Sequence, residues 1–339
     1  MRRWQFWFGV TISALFLYAV LKDIEFSQLW ADMLAANYWL ILPGVAVYFV
    51  GLWARAWRWH YLLRPLKSIP TRTMFPIVAI GYAGNNIYPA RAGEVLRAVV
   101  LKRKEGVSIS ASLATIIVER VFDGVVMLAF IFLNLSELAR LTDDIKIIGN
   151  LTIQDIALWG SIAFLGALLF FLAAAMAPHP TLRLVKWSVE RFVPVRFRER
   201  VLDLSERFLG GLESLRSPRE ALMVFLTSVI IWLLETVKYW FVMHAFGFSV
   251  SFFALMLMNG VVNLATTIPS APGYVGTFDL PGIAVLDAYG IPKETATSYT
   301  FVLHFALWFP VTLLGLYYMG KEGIKWGGKV EEVEEGEET

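Results

Sequence analysis

Two long apolar stretches of this chain are each broken by Asn, Pro, Gly and charged residues, and those breaks limit the possible folds sharply. Residues 75–100 are interrupted by Gly81, Gly84, Asn85, Asn86, Pro89, Arg91, Gly93 and Glu94. Residues 252–289 are interrupted by Asn259, Asn263, Pro269, Pro272, Gly273, Gly276, Asp279 and Pro281. Neither stretch offers the roughly 20 consecutive apolar residues that a crossing helix needs. Each reads as two short helices joined at a Pro/Gly break. Irregular backbone at membrane depth is tolerated only where protein or a water-filled cavity covers it.

Composition supplies the membrane. Hydrophobic residues make up 57% of the 339 and charged residues 17%. A soluble domain is nearer to about 45–50% apolar and about 25% charged. This balance excludes a disordered chain, a nucleic-acid binder and an ordinary soluble enzyme. Segments 4–21, 38–54, 112–135, 156–177, 221–246 and 296–319 read as six crossing helices, the first a retained signal anchor behind Arg2 and Arg3. Cysteine is absent, so disulfides and thiol chemistry are excluded. There is no Walker A loop, no H-E-x-x-H and no His/Asp cluster at ligand spacing. No metal and no cofactor are expected, and no catalytic residue is assigned.

Charge fixes the expected orientation. Cytoplasmic loops of membrane proteins are rich in Lys and Arg. With residues 75–100 and 252–289 as re-entrant hairpins, 24 of the 30 basic residues fall inside and four outside, while Arg120 and Lys238 lie within spans. Making either hairpin a full crossing reverses part of this bias. Both termini are therefore expected in the cytoplasm of a multi-pass protein of the cell membrane. Residues 178–219 form a basic cytoplasmic loop with an amphipathic pattern, expected to lie on anionic headgroups. The net charge is +2, and six Glu crowd the last nine residues. Residues 1–320 thus read as one transmembrane domain and 321–339 as an acidic disordered tail.

The two broken stretches resemble one another. Pro89 precedes Gly93 by four residues, as Pro269 precedes Gly273. Each hairpin lies between two spans, and three crossings separate the hairpins, so their orientations are opposite. The expected fold is an all-α polytopic membrane protein with six transmembrane helices and two re-entrant broken-helix hairpins in an inverted repeat. Transporters place central sites where such broken helices face each other. The alternative is that Pro and Gly merely kink ordinary spans.

The chemistry-bearing residues cluster at the breaks. In Asn85-Asn86-x-x-Pro89-Ala90-Arg91-Ala92-Gly93-Glu94-x-x-Arg97, a helix starting near Ala92 would aim free N–H groups at the break, an arrangement suited to phosphate. Gly93 permits close backbone approach, and Glu94 and Arg97 share one helix face. Arg91 would add a bidentate guanidinium. Alternatively Arg91 and Arg97 reach the cytoplasmic surface and Glu94 neutralises them. Span 112–135 carries Glu119, Arg120 and Asp123, groups that are costly in a bilayer and normally face a bundle interior. Arg120 can pair with Asp123, leaving Glu119 for Arg91 or Arg97; a structural ion-pair network is the competing reading. Under the repeat, Arg120 falls opposite His304, a hydrogen-bonded structural residue or a proton relay. Asn263, Pro269, Pro272, Gly273, Gly276 and Asp279 are the second-hairpin candidates. Glu235 and Lys238 read as a self-neutralised pair. Arg55 and Arg58, among Trp53, Trp57 and Trp59, read as an interfacial anchoring belt.

Asn86-x-x-Pro89-x-Arg91-x-Gly93-Glu94-x-x-Arg97, Glu119-Arg120-x-x-Asp123 and Pro269-x-x-Pro272-Gly273-x-x-Gly276 together resemble the lysylphosphatidylglycerol synthase transmembrane-region family, also known as UPF0104. The likeness runs from the first span to the sixth. It implies a lipid flippase or translocase handling a lipid with an anionic, phosphate-bearing headgroup. Some members carry a cytosolic aminoacyl-transferase domain, for which these 339 residues leave no room, so lipid aminoacylation is not carried over. Members often have Glu where Asp279 stands. The alternative is an accessory subunit of a lipid-linked group transferase, or such a transferase itself. The expected partners are a membrane lipid and a separate synthase or glycosyltransferase, and no nucleic acid.

Overall fold

A computed structural model describes residues 3–88, 91–134, 146–148, 151–152, 177–211, 217–268 and 270–324, with scattered positions between 158 and 176. Twelve α-helices are described. The first six are α1 (Arg3–Leu21), α2 (Phe26–Ala35), α3 (Ile41–Leu63), α4 (Thr71–Ile87), α5 (Ala92–Glu105) and α6 (Ile109–Leu133). Then come α7 (Pro178–Phe192), α8 (Val195–Gly211), α9 (Pro218–Ala245), α10 (Phe252–Ala265), α11 (Asp279–Ala288) and α12 (Lys293–Lys321). A small antiparallel ribbon, Lys146–Ile148 with Leu151–Thr152, stands in a region expected to be loop.

Helices Tyr38–Leu63, Pro218–Ala245 and Lys293–Lys321 are long and apolar enough to cross a membrane. Helices α1 and α2 together would make a fourth crossing, but they meet at 90°. Helix α2 fills the stretch 22–37 that reads as an outer loop. Helix α6 has 25 residues but carries Glu119, Arg120 and Asp123. The segment 156–177, most of loop 136–155 and the Glu-rich tail from residue 325 lie largely or wholly outside the described residues. The chain is thus an integral membrane protein built almost entirely of helix.

Local chemistry sets the helix ends. Ser108, Ser217 and Ser251 each accept a hydrogen bond from the backbone N–H three residues on, capping α6, α9 and α10. Helix α5 ends at Gly106 with φ 72°, a conformation that glycine adopts without strain. Lys102, Arg103 and Lys104 in its last turn face the negative end of the helix dipole.

Both broken stretches form two short helices. In the first, α4 and α5 pack back to back because their contact face lacks side chains. A Cβ on Gly93 would stand 1.9 Å from the Gly81 carbonyl oxygen, and one on Gly84 would stand 2.7 Å from the Gly93 Cα. In the second, α10 and α11 are separated by a single 3₁₀ turn at Pro272–Tyr274. Helix α3 packs along α9, α4 against α12, and α6 against α5, α8, α9 and α10. One core cluster gathers Leu52, Trp59, Leu62, Ile77, Ile80, Leu101 and Val118 around α3 and α4. Another gathers Tyr239, Leu255, Ile283, Tyr299 and Leu303 around α9 and α12. The two breaks meet between these clusters.

The belt reading of Arg55 and Arg58 is corrected here. The helix runs nine residues beyond the expected end at Ala54, to Leu63, and continues into the protein. Trp53 and Trp57 are exposed, as a belt requires, but Arg55, Arg58 and Trp59 on the other face are buried. The basic loop 178–219 forms α7 and α8 over most of its length. Trp187, Phe192 and Val195 of this pair are exposed, while Leu209 joins the main core.

Candidate functional site

Arg91 caps α5 with φ 54°, and Tyr274 stands in the second break with φ 62°. Among the described residues these two are the non-glycine positions with positive φ. Left-handed backbone is costly for such residues and persists where the surroundings enforce it. The Arg91 guanidinium donates to the Thr266 carbonyl at 3.2 Å and lies over the Tyr274 ring, 5.8 Å from its centroid. A second link runs alongside. Asn86 donates to the Thr312 hydroxyl at 2.8 Å, and the Trp308 indole donates to the Asn86 carbonyl at 3.3 Å.

Two linked groups of buried charge lie beneath this junction. In the first, Arg55 donates to Glu235 at 3.0 Å and Lys238 pairs with the other carboxylate oxygen of Glu235. The self-neutralised pair is therefore a triad of two cations and one anion. In the second, Arg97 pairs with Glu119, while Arg58 grips Asp123 with both guanidinium nitrogens and donates to Ser228 at 2.9 Å. The Trp232 indole donates to Asp123 at 2.8 Å. Arg120 stands 3.4 Å from both Asp123 and Glu94, and Arg91 stands 3.9 Å from Glu94. Four cations there face three carboxylates. Each group thus carries one positive charge in excess, the first buried and the second part-exposed at Arg91, Glu94 and Arg120; attraction to an anion strengthens where water is excluded.

A cavity of about 130 Å³ with charged side chains in its wall opens onto both groups. Arg55, Arg91 and Arg120 line it with Glu94 and Glu235, below a rim of Asn85, Asn86, Asn263 and Thr266. Arg55 is 6% exposed, and its Nη1 has no hydrogen-bond partner within the protein. A buried donor left unpaired costs about 1–3 kcal/mol, which a bound acceptor would recover. Beside the cavity runs an apolar groove of about 700 Å³ between α1, α4 and α12, lined by Leu17, Ile87, Val275, Phe301, Phe305 and Leu313. Asn86, Gly273, His304 and Trp308 belong to both walls.

The structure sorts the residues singled out in the sequence. Asn85, Asn86, Arg91, Glu94, Arg120, Asn263, Gly273 and His304 line the cavity. Arg97, Glu119 and Asp123 lie behind it, buried in the ion-pair network. Burial of Arg97 removes the surface-reaching alternative for that residue. Arg120 pairs with Asp123, and Glu119 meets Arg97, as the spacing predicts. Gly93 gives the close α4–α5 approach and lies outside the cavity wall. Pro272 and Asp279 line the groove, whereas Gly276 packs on Ser13 and Phe16 of α1. Pro269 lies outside the described residues.

Sequence reasoning missed Arg55 and Arg58. The signal was available: Tyr48, Leu52, Arg55, Trp59 and Leu62 follow a three-or-four spacing, which places Arg55 on the buried stripe of α3.

Comparison with known proteins places this architecture. A UPF0104 membrane protein of Methanothermobacter thermautotrophicus is 24% identical, covering 94% of this chain and 93% of that protein. The UPF0104 membrane protein PH1989 of Pyrococcus horikoshii is 25% identical over 84% of this chain and 87% of its own length. A protein of Haloferax volcanii named Glycosyltransferase AglD is 26% identical over 91% of this chain, which spans about half (52%) of AglD. The family model described as the lysylphosphatidylglycerol synthase TM region matches residues 6–315. With that match over nearly its whole length, the chain belongs to the lysylphosphatidylglycerol synthase transmembrane-region family.

Proposed function

We propose that this protein moves a lipid with an anionic, phosphate-bearing headgroup between the leaflets of the cell membrane. The observation that carries the reading is the pairing of two unlike spaces: a cation-rich cavity and a long apolar groove that share the wall of Asn86, Gly273, His304 and Trp308. A headgroup phosphate would take the free donor of Arg55 and the guanidinium groups of Arg91 and Arg120. The acyl chains would follow the groove past Phe305 and Leu313, both exposed on its open side. Charge-assisted bonds to a phosphate are roughly twice as strong as neutral ones. Arg97, Glu119, Arg58 and Asp123 act from behind, holding the cavity's charges in place.

The same reading takes residues 1–320 as one membrane domain of six crossings, with the hairpins 75–100 and 252–289 entering from opposite faces as an inverted repeat. Both termini lie in the cytoplasm; the tail expected from residue 321 begins no earlier than 325, since Glu322 pairs with Lys104 and Ile324 joins the main core. A second reading, an accessory subunit of a lipid-linked group transferase or such a transferase itself, is favoured by the name of the Haloferax relative. The purified protein in vesicles separates the two. Fluorescent phosphatidylglycerol changing leaflets with no second substrate supports translocation. A new lipid product, formed only when a donor is supplied, overturns it in favour of transfer.

A further inference from the structure

Three side chains buckle the second break: Ser13 of α1 accepts the Ala271 N–H at 2.9 Å and donates to the Val275 carbonyl at 2.7 Å, and His304 and Asp279 hold the turn from the other side. His304 Nε2 lies 2.7 Å from the Gly273 carbonyl oxygen, and His304 Nδ1 lies 2.8 Å from Asp279 Oδ1. The other carboxylate oxygen of Asp279 accepts the Gly276 N–H at 2.8 Å. Between those anchor points lie three residues in the left-handed region, Gly273 at φ 76°, Tyr274 at φ 62° and Gly276 at φ 82°. The Tyr274 of this strained turn is the ring under Arg91.

The hydrogen-bond arithmetic demands a proton. A carbonyl oxygen only accepts, so Nε2 must carry a hydrogen. A neutral imidazole then presents a lone pair at Nδ1, and an ionised carboxylate presents another at Oδ1. At 2.8 Å two lone pairs repel. The contact closes only if a further proton lies between them, on the ring or on the carboxyl. Asp279 is 1% exposed, and the Phe278 ring lies 4.5 Å from the imidazole, while His304 itself opens onto the cavity and the groove. Asp279 is the titratable group in direct contact with His304. Across the shared cavity stand Arg55, Arg91 and Arg120, with the carboxylates Glu94 and Glu235. The phenols of Tyr48, Tyr82 and Tyr274 complete the titratable groups of that wall.

We propose that the His304–Asp279 pair is a proton-binding site that latches the second break, so that lipid movement past Arg91 is coupled to uptake and release of one proton. This coupling rests on the translocation reading; the latch itself does not. With the proton bound, the 273–276 turn is clamped and Tyr274 is held against Arg91. On release, repulsion between Nδ1 and Oδ1 frees the turn and withdraws the ring, and the groove and cavity join through the wall that His304 occupies. The proton leaves to water in the cavity and returns from it, so no other reactant is required.

The cysteine-free chain permits a direct test. A spin label on Val275→Cys, in the turn, is followed by EPR between about pH 5 and pH 9. The expected result is an immobile label at low pH that becomes mobile as pH rises, in one step. Asp279→Asn keeps both bonds and removes the carboxyl that shares the proton: its amide N–H donates to the neutral Nδ1 and opposes protonation there, and its oxygen accepts the Gly276 N–H. The label should then stay immobile across the range, and in vesicles the rate of phosphatidylglycerol movement should lose its dependence on a pH gradient. A label in the unsubstituted background whose mobility does not change with pH overturns the proposal, whether or not lipid moves. If the label titrates as expected while no lipid moves at any pH, the latch stands and the translocation reading falls.

Discussion

Arg91 and Tyr274, 183 positions apart in the chain, lie face to face with the guanidinium 5.8 Å from the ring centroid, and both have left-handed backbone. Each marks the break in its own interrupted stretch. Strain on both sides of one contact indicates that the contact is built rather than incidental, because either residue alone would relax into an ordinary conformation. It places a cation in the cavity wall, where the guanidinium also donates to the Thr266 carbonyl.

Replacement of Arg91 by Ala is therefore expected to reduce phosphatidylglycerol movement in vesicles by roughly 10- to 100-fold, the worth of a charged hydrogen bond or two. Arg91→Lys should restore only part of it, because lysine keeps the charge and loses the bidentate geometry. Melting temperature in detergent is measured alongside. Wild-type movement by a normally folded Arg91→Ala protein would contradict a phosphate-gripping role.

Arg55 and Arg58 should behave differently although they are neighbours on one helix. Arg55→Ala leaves Glu235 paired with Lys238, so the protein should fold with a modest loss of stability and lose lipid movement. Arg58→Ala strips Asp123 of its bidentate partner in a site 1% exposed. Breaking such a buried pair typically costs about 3–5 kcal/mol. Thermal unfolding in detergent would show a large drop for Arg58→Ala and a small one for Arg55→Ala; the reverse order would refute this assignment.

Glycine substitutions test the close approach of α4 and α5. Gly93→Ala would drive a methyl to within 1.9 Å of the Gly81 carbonyl oxygen, and poor expression or a sharply lowered melting temperature is expected. Gly320→Ala, with nothing within 4 Å, should be neutral or gain up to about 1 kcal/mol from helix propensity. Equal behaviour of the two variants would show that the α4–α5 contact carries no weight.

The inverted repeat predicts sidedness. Single cysteines at Lys104 and Asp287 are expected to react with an impermeant reagent from the cytoplasmic and the external face respectively. Reaction of both from one face would remove the opposed hairpins and with them the repeat.

Much of the site was legible because the bilayer makes charge expensive. Glu119, Arg120 and Asp123 stand out in a span for that reason, and their spacing of one to four residues gives the correct pairing of Arg120 with Asp123. Glu94 and Arg97 follow from the same logic. What the sequence hides is partnership at long range. Nothing local says that Glu235 is shared with Arg55, 180 residues earlier. The aromatic–arginine alternation of 53–59, taken alone, suggests an interfacial belt; the wider three-or-four spacing from Tyr48 to Leu62 is what marks Arg55 as buried. The stretch 22–37 reads as a loop because it falls between two apolar spans; packing on α12 gives α2 a face to bury.

The central claim is that a cavity with surplus positive charge selects an anionic headgroup. The most direct measurement compares, in vesicles of one composition, the leaflet exchange of fluorescent phosphatidylglycerol and of an uncharged glycolipid with the same chains. The account predicts that the wild-type protein moves phosphatidylglycerol at least about tenfold faster, a margin of about 1.4 kcal/mol. It also predicts that Arg55→Ala abolishes this preference at a nearly unchanged melting temperature. Equal rates for the two lipids, or no acceleration of phosphatidylglycerol by the folded protein, would contradict it.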